Sequence, residues 1–206
     1  MCGVVCAMGV MGVAQGTRLM SGSGTASAQV QGKWVQGARQ TYAFGRGTYE
    51  GGKWIDVTYG SPLKRGRDPW GSGADYGKAL LIGAPIWRAG AEVSTRLKTE
   101  VPLVIGGKTV PPGEYTMFID LKEHNWTLVI SRWTAQPKYD PNDKTALWGA
   151  YNYTPDKDVL RTPMKLEALP HAFEALSWQF LDMTSAGGTL AIVWDKVMAS
   201  VGFTAG

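Results

Sequence analysis

Lys64, Arg65 and Arg67 are the densest cationic cluster in the chain, gathered around Gly66. Guanidinium forks match carboxylates and phosphates, and a glycine lets backbone amides approach, so the pattern suits an anion site. It equally suits a solvated loop whose arginines pair with Asp68, Asp75 or Glu92. Further on, Trp87-Arg88 precedes Glu92. An arginine there can stack on an indole and fork onto a carboxylate, either lining a pocket or pinning the loop as a structural pair. Asp158 and Arg161 stand three apart at the start of a strand. A regular strand sends them to opposite faces, which implies a separate, distant partner for each.

The aromatic residues Tyr59, Trp70, Tyr76, Trp87, Trp148, Tyr151 and Tyr153 fall mainly in two long excursions, Tyr59 to Thr95 and Ala135 to Asp158. Excursions that met would wall a groove of ring faces with basic edges, suited to a sugar, a peptide or a small anion. Otherwise the rings plug the core. The candidate ligand-binding residues are therefore Tyr59, Lys64, Arg65, Arg67, Tyr76, Trp87, Arg88, Glu92, Trp148 and Arg161.

Other chemistries find less support. Gly106-Gly107-Lys108-Thr109 resembles the end of a phosphate-binding loop, but Pro102 stands where its first glycine belongs and Val-Pro-Pro-Gly follows in place of a helix. His124 lies in a turn, His171 follows Pro170, and Cys2 and Cys6 are the only cysteines, so neither a zinc site nor any cofactor is expected. No nucleophile elbow is present, and no spacing among Asp75, Glu92, Asp120 and Asp158 selects a glycosidase pair. No catalytic residue is assigned. A net charge of +4 with one cationic cluster does not call for nucleic acid.

The elements that must position these groups read as strands. Abundant glycine and nine tryptophans among 206 residues suit many turns and a few large packing anchors. Gln40 to Glu50 and Lys53 to Tyr59 flank Gly51-Gly52 as a hairpin. Ala91 to Lys98, Val101 to Ile105, Glu114 to Leu121 and Trp126 to Trp133 follow, then Val159 to Leu169, Phe173 to Met183 and Thr189 to Val201. Leu80 to Ile82 and Met164 to Leu169 are the only helix-like pieces. The expected fold is all-β, an antiparallel sandwich or flattened barrel of about 8–10 strands with two long loops.

Met1 to Ala14 is apolar, too short to span a bilayer, and near the length of a signal-peptide core, although no cation precedes it. Gly12-Val13-Ala14 and Ala26-Ser27-Ala28 are possible cleavage sites, and the second is the better match. Residues 1–28 are thus expected as a cleaved leader and 29–206 as one exported domain, periplasmic or secreted, with no stable membrane insertion.

Tyr59-Gly-Ser-Pro-Leu-Lys-Arg-Gly-Arg67, then Tyr76-Gly-Lys, Trp87-Arg-Ala-Gly-Ala91, Ile105-Gly-Gly-Lys-Thr-Val-Pro-Pro-Gly-Glu-Tyr115 and Asp158-Val-Leu-Arg161 together resemble a bacterial family, the domain of unknown function numbered 2911. The resemblance runs from about Lys53 to Val201 and implies an exported β-rich fold without an established activity. The family pattern continues after Trp-Arg as Gly-Ala-Asn-Glu-Ala-Thr. Here it is Gly90-Ala-Glu-Val-Ser-Thr95, with the acid one position early, which in a strand would reverse its face. The expected role is non-catalytic binding of a small molecule, sugar or peptide through residues 59–95. A hydrolase using Glu92 or another acid near Arg88, and a structural protein of the cell envelope, are the alternatives.

Overall fold

Strands alternating with glycine, proline and asparagine turns account for most of the chain, because apolar residues at every second position give each strand one face to bury. The computed structural model describes residues 21–35 and 48–206. In chain order the elements are β1 (Gly22–Val30), β2 (Lys33–Val35), β3 (Thr48–Glu50), β4 (Lys53–Ser61), α1 (Lys78–Leu81), β5 (Thr95–Thr99), β6 (Leu103–Ile105), β7 (Lys108–Val110), β8 (Gly113–Asp120), β9 (Thr127–Ser131), β10 (Thr134–Ala135), β11 (Ala146–Leu147), β12 (Asp158–Pro163), β13 (Lys165–Thr184) and β14 (Gly187–Ala205).

Six strands form one antiparallel sheet in the order β1-β4-β5-β8-β9-β12, and four form a second in the order β13-β14-β6-β7. The sheets face each other as a sandwich. Ile55, Val57, Leu97, Met117, Ile119, Leu128 and Ile130 of the first pack into one core with Leu176, Trp178, Leu190 and Ile192 of the second. β8 and β9 are buried on both faces. Their opposite residues, Phe118 and Val129, join a smaller cluster with Leu147, Ala150 and Tyr153 of the second excursion, which lies over the back of the sheet.

Several sequence expectations change. Gly51-Gly52 does not close a hairpin ladder among the described residues. β4 pairs with β1, and β3 with β2, in one continuous register that sets Val30 opposite Lys53 and Lys33 opposite Glu50. The glycines interrupt this ribbon opposite Gln31-Gly32, and residues 40–47 of the expected first strand lie outside the described residues. Met164–Leu169 is not helical: Lys165 begins β13, which runs through Pro170 by slipping register between Ala168 and Phe173. The break between the two expected strands therefore moves from 170–172 to Met164, between β12 and β13. Gly106 and Gly107 turn β6 into β7 with positive φ, as a hairpin requires. A cut after Ala28 would fall inside β1, opposite Ile55.

Candidate functional site

The first excursion is fastened at both ends. Leaving β4, it runs beside β13: the Ser61 hydroxyl donates to Leu176 O at 2.7 Å, Leu176 N–H to Pro62 O at 3.0 Å and Lys64 N–H to Glu174 O at 2.7 Å. The Lys64 ammonium pairs with Asp195. At the far end Trp87 exchanges both backbone hydrogen bonds with Ile119, at 3.1 and 2.9 Å. Ala89, fully buried, accepts from Trp178 Nε1 at 3.0 Å and the Thr95 hydroxyl at 3.1 Å. Gly60 is obligatory here, since a Cβ would drive into the Ala91 carbonyl, which no neighbouring side chain can relieve. Between these anchors Trp70 meets Trp87, Trp126 and Trp194 with ring centroids 5.9, 4.7 and 5.7 Å apart, a cluster that contributes edge and face contacts beyond simple burial.

The second excursion meets the first. The Ser94 hydroxyl donates to Gly149 O, and the Tyr151 hydroxyl donates to Ile82 O at 3.2 Å. Arg88 lies across this junction, its Cζ 5.5 Å from the centre of the Tyr151 ring and its Nη1 donating to the Glu92 carbonyl. Gly149 has φ of +63°, and a Cβ there would come 2.5 Å from the Arg88 Cζ. Only glycine gives the guanidinium that seat.

The junction leaves a cleft of about 590 Å³. Trp87 and Trp194 border it while remaining core, 1% and 2% exposed; Pro62, Leu63, Leu80 and Ile82 add aliphatic surface, Trp148 and Tyr151 stand on the second excursion's side, and Arg65, Arg67, Arg88 and Glu92 supply charge. A second hollow of about 440 Å³ within the second excursion shares Trp148 and Tyr151 with it.

Of the sequence candidates, Arg65, Arg67, Trp87, Arg88, Glu92 and Trp148 come together in the cleft. Lys64 is taken up by Asp195. Tyr59 is buried, with its ring against Gly24. The Tyr76 hydroxyl accepts from Trp126 Nε1 at 2.7 Å, and burial raises its pKa. The expected Arg88–Glu92 carboxylate pair is absent among the described residues, because Glu92 sits at φ +60° and turns its carbonyl to the guanidinium while its side chain is exposed. Residues 91–93 precede β5, so the strand-face argument about the early acid does not apply. Ser21 and Trp194 belong to the cleft although the sequence did not single them out. Trp194 alternates with Ile192 and Leu190 and reads simply as core, and at 2% exposed it is core that the cleft borders.

Arg161 lies elsewhere, in β12. It pairs with Asp120 at 2.7 Å and with Asp158 at 3.1 Å, and donates to the Tyr153 hydroxyl at 3.0 Å. The expectation that Asp158 and Arg161 face apart fails because the β9–β12 ladder slips register between Asp158 and Leu160, which rotates Asp158 to the arginine's side. Burial first, then the hydrogen bond and charge of Asp158, push the Tyr153 phenol well above its usual pKa, against the pull of Arg161.

No curated protein and no solved structure matches the chain. The model of one family, described as "Protein of unknown function (DUF2911)", matches residues 45–203, most of the chain with both excursions included, and the chain belongs to that family.

Proposed function

We propose that this protein is a binding module that seats a small molecule, a sugar or a peptide segment in the cleft between its two excursions, without transforming it. The observation that carries this reading is the convergence of Arg65, Arg67 and Arg88 with the half-buried rings of Trp148 and Tyr151 in one concavity of about 590 Å³. That volume lies within the roughly 300–1,000 Å³ typical of small-ligand sites. A hydrolytic reading has less support: Glu92 is the only acid among the cleft's described lining residues, and no histidine joins it. A thermal-shift screen against sugars, peptides and small anions tests the reading, with Arg88→Ala as control. Stabilisation of the wild type that the variant loses is the expected result. A wild type indifferent to every class, or a variant that responds equally, sinks it.

We also infer export. The apolar stretch Met1 to Ala14 supports it, and no helix among the described residues is long and apolar enough to cross a membrane. Removal of a leader after Ala14, at Gly12-Val13-Ala14, keeps β1 and the cleft residue Ser21, whereas removal after Ala28 discards most of a strand paired along its whole length with β4. Mass spectrometry of the exported protein is expected to find Gln15 first. Gln29 first refutes the retained strand, and an intact Met1 on cytosolic material refutes export.

A further inference from the structure

Resting on the binding reading above, we propose that the cleft selects an organic anion, with a carboxylate or phosphate head held by Arg88 and Arg67 and an apolar, preferably aromatic, body against Leu80, Ile82 and the half-buried Trp148. The argument begins with how the nearby acids are spent. Asp68 accepts the backbone N–H groups of Trp70 and Gly71, Asp75 pairs with Lys78, Glu174 accepts the Arg65 N–H and Asp195 pairs with Lys64. Among the described residues Arg67 donates only to the Lys64 and Leu63 carbonyls, at 3.0 and 2.6 Å. Arg88, among the described residues, donates only to the Glu92 carbonyl and lies against the Tyr151 ring. Among the described residues neither guanidinium is in an ion pair, and both line the same cleft with most of their donors unused.

A half-buried arginine stripped of part of its hydration and given no counter-charge gains more from an incoming anion than an exposed one does. Arg88 is also preorganised. Gly149, Tyr151 and the Glu92 carbonyl hold its plane, so little rotamer freedom is lost when a head group docks. The half-buried Trp148 ring and the Pro62, Leu63, Leu80 and Ile82 side chains offer no comparable hydrogen-bonding surface, which favours an apolar body over a second charged group. Glu92, on the same wall, opposes the head group electrostatically and so tunes affinity downward.

The test titrates the full chain with phenyl phosphate, phenylacetate, phenylacetamide and inorganic phosphate, read by tryptophan fluorescence and thermal shift. Both aryl anions are expected to bind saturably, with affinity falling as salt rises, and phenylacetamide to bind about tenfold more weakly than phenylacetate. Inorganic phosphate is expected to bind more weakly than phenyl phosphate. Arg88→Gln weakens the aryl anions about tenfold and leaves phenylacetamide unchanged, while Glu92→Gln tightens the aryl anions about threefold. If phenylacetamide binds as well as phenylacetate, anion selection is overturned and the binding reading stands. Inorganic phosphate matching phenyl phosphate overturns the apolar body. If nothing binds, here or in the wider screen, both proposals fall together.

Discussion

Arg161 and Arg88 each lie against a tyrosine of the second excursion, Tyr153 for the first and Tyr151 for the second, yet their surroundings differ in kind. Arg161 is enclosed by acceptors: two carboxylates and a phenol that itself donates to Asp158 at 2.6 Å. Arg88 has a main-chain carbonyl and a ring face. The first guanidinium is consumed by the fold, tying β12 to β8 and to the excursion. The second is positioned by the fold and left with donors to spare. Residue type and neighbouring aromatics do not separate the two cases; the disposition of the acids does.

That contrast is open to direct attack. Arg161→Met should have the largest effect on stability. Asp158 is only 8% exposed at its side chain, and its Oδ1 already lacks a hydrogen-bond partner among the described residues, so loss of the cation strands a buried carboxylate. Breaking a fully buried pair costs about 3–5 kcal/mol; with the Arg161 side chain 38% exposed, about 2 kcal/mol is expected from urea denaturation. A loss below about 0.5 kcal/mol, the scale of an ordinary surface change, would make this corner no more structural than the cleft.

Gly149→Ala comes next. A side chain at φ +63° that also meets the Arg88 guanidinium should cost about 1–2 kcal/mol and weaken ligand binding as well, since it unseats Arg88. Unchanged binding in that variant would mean the seat is irrelevant to the cleft. Arg88→Gln should alter stability by less than about 1 kcal/mol, because it removes a carbonyl hydrogen bond and a ring contact but strands no charge. A loss as great as that for Arg161→Met erases the distinction between the two sites.

The smallest effect is one of slope. The Tyr153 pKa is higher in the folded protein than the usual 10.0, so the stability linked to it is complete below about pH 10 and declines as pH rises beyond that value. Tyr76 shifts the same way through burial. Tyr153→Phe should therefore make the alkaline fall of the urea midpoint shallower without removing it, and an identical slope in wild type and variant would show that the fold does not raise the phenol's pKa.

The alternation of apolar residues is local, and it was enough to establish an all-β sandwich and most of its later strands; the glycine-rich turn after Ile105 was equally legible. The two long aromatic excursions were visible as interruptions of that alternation. Their meeting was not, because it depends on contacts such as Ser94 with Gly149 and Tyr151 with Ile82, between segments far apart in the chain. The pairing of Asp158 with Arg161 was hidden for a related reason: a single slip in the ladder against β9 reverses a face, and nothing in Asp158-Val-Leu-Arg161 encodes it. Likewise Gly22–Val30, most of it within the expected leader of residues 1–28, shows its strand only when β4 is set beside it. Sequence alone thus determined which stretches bury a face and which residues carry charge or rings. Tertiary structure decided which charges neutralise one another, because ion pairing depends on distances of a few ångströms that long-range packing sets and local pattern does not.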